Sequence, residues 1–223
     1  MTVFIQDTFS GILNSTLSPA WVKGTTDNYV SGGGGNTPAS ATMDGAGRLR
    51  INLAGNGGYY NMEAVSTTPP PSANYYTEVD FSTVDLQSSN GNRVELLLMT
   101  NGAFPNYSAV TLHPKQSLGG GRSLIYISDR AAGVFSSNVF GPIYAGVNTL
   151  RAEVEGTTIR AYINGELKIT LVGTTDVLGR CGFAFETDGP TVSDGTVLYE
   201  FRAGLLGARP SFWTSNVDAT ESP

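Results

Sequence analysis

Residues 153–170, EVEGTTIRAYINGELKIT, indicate the fold most clearly. In the middle of this stretch Ile159 and Ile163 alternate with Arg160 and Tyr162, and successive side chains of a β-strand point to opposite faces. One face of the strand is therefore apolar and the other polar. This is the pattern of a strand that covers a hydrophobic core on one side only.

Turn signals on both sides divide the stretch into three antiparallel strands. Glu155-Gly156 precedes the middle strand, and Asn164-Gly165, a dipeptide typical of two-residue hairpin loops, follows it. Further alternating or apolar segments predict strands at residues 47–54, 75–84, 92–100, 108–114, 122–130, 179–187 and 195–204.

The composition supports an all-β chain. Its 223 residues include 28 Gly and 11 Pro, which favour many turns, and 40% of them are hydrophobic against 14% charged. Helix signals are nearly absent, with residues 131–135 forming a turn of helix at best. Because hairpins dominate, we predict a two-sheet antiparallel sandwich as one domain over residues 1–207.

Charge and cysteine content exclude several function classes. The net charge of −6 and the lack of a basic stripe argue against nucleic acid and against an anionic membrane surface as partners. The single cysteine, Cys181, cannot form an intrachain disulfide and is expected in the core. The single histidine, His113, precedes a proline and is expected to be structural or to face solvent.

The first residues and the apolar runs bear on localisation. Residues 1–11 show no charged n-region and no apolar h-region, and no run approaches the roughly 20 residues that span a bilayer. We therefore expect a protein made in the cytoplasm without a signal peptide. Such a protein could reach the outside of a cell by assembly into a particle.

Several of these segments together resemble concanavalin A-like lectin/glucanase domains. DTFSG at residues 7–11 and LSPAWVKG at 17–24 resemble the first strand and tryptophan of that family, and NTLRAEVEGTTIRAYINGELKIT at 148–170 is similar to laminin-G-like members. The resemblance covers residues 5–206 and implies a jelly-roll sandwich in which Trp21 anchors the core. This fold hosts lectins, glycosidases, adhesion modules and virion proteins, so it does not define the function.

The resemblance also provides a test for catalysis. Glucanases of this fold carry Glu-x-Asp-x-(x)-Glu on one strand, which places carboxylates on one face. Here Glu78 and Asp80 fit the first two positions, but Ser82 and Thr83 leave the third without a carboxylate, and Asp85 would face the other way. The sequence therefore predicts that the protein is not an enzyme. A glycosidase with an unconventional carboxylate pair that includes Glu78 or Glu95 is the alternative.

Aromatic and polar side chains are the candidates for ligand binding. Tyrosine rings can stack on the C–H surfaces of sugars, and the amides of Asn56, Asn61 and Asn106 can bind hydroxyl groups. In the alternative interpretation, half of each adjacent tyrosine pair belongs to the core. The ligand-binding candidates are Tyr59, Tyr60, Tyr75, Tyr76, Glu78, Asp80, Tyr107, Arg160 and Tyr162.

A calcium site and a docking segment are the remaining candidates. Glu186, Asp188 and Asp194 lie close together in an acidic segment, and oxygen ligands on a loop suit Ca²⁺. Asp-Gly and Gly-Pro in the same segment are equally typical of turns. The tail at residues 208–223 loses alternation but carries Phe212 and Trp213, which would dock on a neighbouring surface or fold back on their own domain.

These observations together favour a non-catalytic structural or binding module. We predict a phage virion surface protein, such as a decoration or fibre protein, because the scaffold pattern is complete, the catalytic one is not, and glycine-rich, small-residue segments fit that setting. Its expected partners are other virion subunits or further copies of itself, with a glycan as candidate ligand. No cofactor is required, and Ca²⁺ is the one candidate. The alternatives are a soluble glycan-binding lectin and the glycosidase described above.

Overall fold

The computed structural model describes the chain in thirteen segments and shows only strands, turns and bends in them. The described residues are 2–9, 21–23, 37–38, 40–43, 46–52, 59–83, 93–100, 107–114, 122–129, 133–143, 146–174, 179–188 and 196–207. No helix within these segments is long and apolar enough to cross a membrane. The predicted tail at residues 208–223 lies outside them.

Within these segments, sixteen strands form two sheets. They are β1 (Val3–Asp7), β2 (Trp21–Lys23), β3 (Thr37–Pro38), β4 (Ser40–Met43), β5 (Leu49–Asn52), β6 (Tyr59–Ser66), β7 (Asn74–Thr83), β8 (Arg93–Thr100), β9 (Ser108–His113), β10 (Ser123–Asp129), β11 (Val134–Phe140), β12 (Asn148–Glu155), β13 (Thr158–Ile163), β14 (Glu166–Val172), β15 (Arg180–Asp188) and β16 (Thr196–Leu205).

The strands pack as a sandwich, which confirms the predicted fold class. Sheet A has the order β14-β13-β12-β7-β16-β5-β4, with β1 also paired to β16. Sheet B has the order β11-β10-β9-β8-β15-β6-β2, with β3 also paired to β6. Every pairing between the described strands is antiparallel except that of β3 with β6. Strands distant in the chain, such as β7 and β16 or β8 and β15, therefore lie side by side.

The hairpin that indicated the fold is confirmed in detail. Strands β12, β13 and β14 pair in succession, and the buried Ile159 and Ile163 face the core while Arg160 and Tyr162 face outward. Asn164 and Gly165 have φ angles of 51° and 82°. Two central residues with positive φ define a type I′ turn, whose twist matches that of the flanking strands.

The core between the sheets is aromatic at its centre. Trp21 is 7% exposed, and its ring meets those of Phe183 and Phe201 edge-to-face at 4.9 and 5.1 Å. Its indole nitrogen donates a hydrogen bond to Asp7 Oδ2 at 2.7 Å. The predicted core roles of Trp21 and Cys181 are both confirmed, and burial raises the pKa of the Cys181 thiol to about 12.

Strand β11 was not predicted from the sequence. Val134 and Phe135 were assigned at best to a turn of helix, but they begin a seven-residue strand that pairs with β10 without interruption. The prediction failed because the strand lies at the edge of sheet B and is mostly exposed. It therefore lacks the regular apolar alternation that a core imposes.

Candidate functional site

Each sheet has an inner face that packs in the core and an outer face that points away from it. The outer face of sheet A carries four of the ligand-binding candidates from the sequence, namely Glu78, Asp80, Arg160 and Tyr162. In sheet B the outer face carries a separate set of buried residues, of which the sequence singled out Glu95 and Tyr107 but not their neighbours. The chemistry of the two outer faces differs, and this difference locates the candidate site.

On the outer face of sheet A, Arg202 holds carboxylates from two neighbouring strands. Its Nε lies 2.7 Å from Glu78 Oε1, its Nη2 lies 3.2 Å from Asp80 Oδ2 and its Nη1 lies 3.1 Å from Glu200 Oε2. Partial burial by itself would lower the pKa of Arg202, but attraction to the three carboxylates outweighs burial and raises it. The guanidinium is therefore firmly charged.

Arg151 extends this ion-pair network to the next strands. Its Nη1 lies 3.0 Å from Glu78 Oε2, and its Nε and Nη2 both contact Glu153 Oε1, at 3.1 and 3.0 Å. The Tyr162 hydroxyl donates to the other Glu153 oxygen at 3.0 Å. The guanidinium carbon of Arg151 lies 4.0 Å from the centre of the Tyr76 ring, a cation–π arrangement.

The network satisfies its own carboxylates. Thr149 Oγ1 donates to the second Asp80 oxygen at 2.6 Å, and Gln6 Nε2 donates to the second Glu200 oxygen at 2.7 Å. Both oxygens of Glu78 and of Glu153 are already bound by the arginines and Tyr162. The carboxylates on the outer face of sheet A are thus all paired within the network. A ligand that binds them would have to displace an existing hydrogen bond or ion pair.

The predicted tyrosines occupy different positions. Tyr75 is fully buried, and Tyr76 and Tyr107 are 4% and 2% exposed, so none of these three rings offers an open face for stacking. Tyr76 points outward as the pairwise alternation implied, but Arg151 covers it. Burial, followed by the charge of Glu78, raises the pKa of Tyr76.

The remaining predicted residues stay predictions. Tyr59 and Tyr60 lie on β6 opposite Asp188 and Thr187 of β15, and Asn61 lies opposite Glu186, so the register brings the tyrosine pair and two acidic positions together. Within the described segments no group of three His, Cys, Asp or Glu residues could hold a metal ion. The positions that lie outside those segments are Asn56, Asn106, Asp194, Phe212 and Trp213.

The outer face of sheet B carries an apolar cluster beside a polar row. The cluster consists of Val65, Leu97, Tyr107, Ala109 and Ala184, all buried but separate from the main core. The polar row crosses the sheet through residues that are directly opposite one another. In order across β6, β15, β8, β9 and β10, the row is Glu63, Ala184, Glu95, Thr111 and Tyr126.

The polar row contains buried atoms without hydrogen-bond partners. Glu95 is 2% exposed and Thr111 is fully buried, yet neither Glu95 Oε2 nor Thr111 Oγ1 forms a hydrogen bond within the described part of the chain. Arg93 Nε lies 3.7 Å from Glu95 Oε2, close enough for charge attraction. A buried polar group that lacks a hydrogen bond costs about 1–3 kcal/mol, so native proteins rarely keep one without a reason.

His113 and Tyr126 form an aromatic step at the side of this row. Their rings stack with centroids 5.7 Å apart and an angle of 23° between planes. Burial, followed by the charge of Arg93, lowers the pKa of His113 to about 4, so the imidazole is neutral at pH 7. His113 Nδ1 is buried and also forms no hydrogen bond with the described residues. The sequence predicts a structural or solvent-facing role for this histidine, and no pattern along the chain connects it to the neighbouring strands.

Comparison with known proteins identifies the architecture. The chain matches no protein-family model and no curated protein sequence. It is similar to the solved structure of a β-1,3-glucanase from Mycobacterium marinum, with 13% identity and a TM-score of 0.66 over 91% of this chain and 98% of the other. The chain has the glucanase-type jelly-roll fold.

Two further structures are similar to the chain over most of both lengths. One is a glycosyl hydrolase family 16 protein from Mycobacterium smegmatis, at 14% identity and a TM-score of 0.63, covering 91% of this chain and 100% of the other. The second is a pseudo β-1,3-glucanase of Mycobacterium tuberculosis, at 12% identity and a TM-score of 0.64, covering 93% of this chain and 100% of the other. At these identities the likeness shows the concanavalin A-like sandwich expected from the sequence.

These neighbours contradict the prediction that the protein is not an enzyme. The prediction depended on one strand, where Glu78 and Asp80 lack a third carboxylate. The structure places that strand in sheet A, with both carboxylates bound by arginine. Meanwhile Glu63 and Glu95, from separate strands, share the outer face of sheet B. A motif confined to one strand could not reveal a pair that only strand pairing creates.

Proposed function

We propose that the protein binds carbohydrate on the outer face of sheet B, at the polar row and the aromatic step beside it. The observation that carries this proposal is the group of buried polar atoms on adjacent strands, Glu95 Oε2, Thr111 Oγ1 and His113 Nδ1, that form no hydrogen bonds with described residues. Because these atoms are buried, a sugar hydroxyl would reach them only by displacing the side chains that cover them, whereas the half-buried ring of Tyr126 is partly open to solvent. Among the described residues, the carboxylate oxygens on the outer face of sheet A are bound internally, so they are not open to a ligand in the same way.

The chemistry of the row fits a sugar. Each sugar hydroxyl both donates and accepts, so it can bind a carboxylate oxygen, a threonine hydroxyl and a neutral imidazole in turn. The neutral state of His113 is important because an imidazolium could only donate. The ring of Tyr126, stacked on His113, adds an apolar surface for sugar C–H groups.

A glycan array compares the two faces directly. We expect wild-type protein to bind one class of oligosaccharide, and Tyr126→Ala and Thr111→Val to lose at least tenfold in affinity. The matched control is Tyr162→Ala, since Tyr162 belongs to the outer face of sheet A and should leave binding unchanged. Loss of binding in Tyr162→Ala with retention in Tyr126→Ala would transfer the site to sheet A. Repeating the array with EDTA tests the calcium prediction.

Glycoside hydrolysis is the second candidate function, and the pair Glu63 and Glu95 favours it. Both side chains lie on the outer face of sheet B, opposite Ala184 from either side. Two strand spacings of about 4.8 Å put their Cα atoms about 9.6 Å apart, within reach of the carboxyl separation of about 6.5–9.5 Å that inverting glycosidases use.

A polysaccharide panel with reducing-sugar detection tests hydrolysis. Glu63→Gln and Glu95→Gln should each abolish activity, and proton NMR of the first product should show an inverted anomeric configuration. Glu78→Gln is the matched control, because Glu78 lies in sheet A and cannot act with Glu95. Activity that survives both sheet B variants, or depends on Glu78, would refute this second function.

We propose the virion surface as the setting in which a glycan would be bound. Support comes from the glycine-rich segment at residues 31–47 and from the abundance of small residues, both of which suit a particle protein. The genes flanking the coding sequence provide the test. Capsid and tail genes would support a virion role, whereas genes for sugar use would contradict it.

A further inference from the structure

We propose that two copies of this chain associate through β11, the edge strand of sheet B, by antiparallel pairing about Ser137. The association would join sheet B of one copy to sheet B of the other. It requires neither a glycan nor any residue of the polar row, so the proposal is independent of the proposed function.

The first observation is that β11 carries none of the usual edge protection in its own sequence, and its described contacts outside sheet B include those of Asn138 and Phe140 with Lys168 of β14. Proteins normally guard exposed edges with charges, prolines, bulges or short strands, because free N–H and C=O groups invite pairing with another chain. Strand β11 has seven residues, none of them charged or proline, and pairs with β10 in unbroken register. It is the last strand in the described order of sheet B.

The other edges of the two sheets show the protection that β11 lacks. Strands β2 and β4 are short, with three and four residues. Strand β14 carries Glu166 and Lys168, which pair with each other at 2.6 Å, and its register with β13 shifts at a bulge. Among the described edges, β11 alone combines length, regularity and absence of charge.

The second observation is that the sequence of β11, VFSSNVF, is complementary to itself. Antiparallel pairing about Ser137 sets Val134 opposite Phe140 and Phe135 opposite Val139, so apolar residues meet at both ends. Polar residues meet in the middle. A twofold interface has this form, because each patch must contact a copy of itself.

The third observation is the exposure of one large apolar side chain. Phe135 is 73% exposed, and the neighbouring Val134 is 39% exposed. In the pairing proposed here, Phe135 of one copy would cross to Val139 of the other, which lies next to Leu124 in sheet B. Aromatic rings stabilise such cross-strand pairs with β-branched partners. The absence of charge in β11 also avoids like-charge contacts between two chains of net charge −6.

Analytical ultracentrifugation tests the association. A contact of one strand pair is small, so we expect a monomer–dimer equilibrium that becomes visible at about 100 µM, with a species of twice 23.5 kDa. Phe135→Asp should abolish the dimer while circular dichroism stays unchanged. The matched control is Val172→Asp, since Val172 is 69% exposed on the protected edge β14. A wild-type monomer at this concentration, or equal effects of the two substitutions, would overturn the proposal.

Disulfide trapping tests the register. Directly opposite residues in antiparallel strands have Cα atoms about 4.5–5.5 Å apart, which suits a disulfide. Ser137→Cys should therefore cross-link two copies rapidly, and the buried Cys181 should not interfere. Phe135→Cys alone should not cross-link, because the two cysteines of a dimer would lie about 13 Å apart. The double variant Phe135→Cys, Val139→Cys should cross-link, because position 135 of each copy would lie opposite position 139 of the other. Cross-linking of Phe135→Cys as fast as Ser137→Cys would refute the pairing about Ser137.

Discussion

Replacing Thr111 by valine should stabilise the protein while weakening its binding of glycan. Thr111 is fully buried, and its hydroxyl forms no hydrogen bond with the described residues. Burial of an unpaired hydroxyl costs about 1–3 kcal/mol, and valine fills the same volume with a methyl group. We therefore expect the free energy of unfolding to rise by about 1 kcal/mol.

Two matched substitutions make this measurement specific. Thr77 is also fully buried, and its hydroxyl forms no hydrogen bond with the described residues. Its strand neighbours are the core residues Ala152 and Ala203, so its side chain faces the space between the sheets. Thr77→Val should stabilise by a similar amount and leave glycan binding unchanged. In contrast, Thr149→Val should destabilise, because that hydroxyl donates to Asp80 at 2.6 Å.

Urea unfolding followed by circular dichroism, with glycan affinity measured in parallel, is the assay. For a domain of this size a gain of 1 kcal/mol raises Tm by about 2–4 °C. A loss of stability in Thr111→Val of 1 kcal/mol or more would show that the hydroxyl is bonded in the native protein. Such a loss of stability, or an unchanged glycan affinity, would refute glycan binding at the polar row.

Three further predictions address the fold and its pH dependence. The pKa of His113 falls from an ordinary value of 6.5 to about 4 on folding, so the unfolded chain binds the proton more tightly than the folded chain. The free energy of unfolding should therefore fall by about 3 kcal/mol as the pH is lowered from 6.5 to 4. His113→Phe should remove that part of the pH profile, and an unchanged profile would contradict the shift. Gly182→Ala should lower the free energy of unfolding, measured by urea denaturation, by about 1–3 kcal/mol, because a Cβ atom at this position would collide with the backbone oxygen of Ala64. An unchanged free energy of unfolding would disprove the close approach of β6 and β15. Glu78→Gln should cost about 1 kcal/mol at low salt and less at high salt, since it weakens partly exposed ion pairs with both arginines, and salt-independent stability would count against the network.

Local sequence patterns were enough to predict the fold but not the site. The Asn164-Gly165 turn and the alternation around Ile159 depend on neighbouring residues alone, so they indicated the hairpin correctly. The polar row depends on strands that are distant in the chain: Glu63 and Glu95 share a face because β15, far downstream, pairs between their strands. No spacing along the sequence encodes that neighbourhood.

The same limit explains the interpretation of Glu78 and Asp80. Their i, i+2 spacing correctly predicted one shared face. The arginines that bind them, Arg151 and Arg202, come from the strands on either side of β7, which the sequence could not place there. The carboxylates therefore resembled a ligand site in sequence and form an ion-pair network in the structure.

The imidazole of His113 is the best probe of glycan binding at the polar row, because the chain has only one histidine and its NMR signal needs no assignment by mutation. The measurement is a titration of labelled protein with the oligosaccharide that binds most tightly on the array. Binding at the polar row predicts a saturable shift of the His113 resonances, with the same dissociation constant as the array ligand. Saturable binding that leaves the His113 resonances unmoved would contradict the claim that glycan binds the outer face of sheet B.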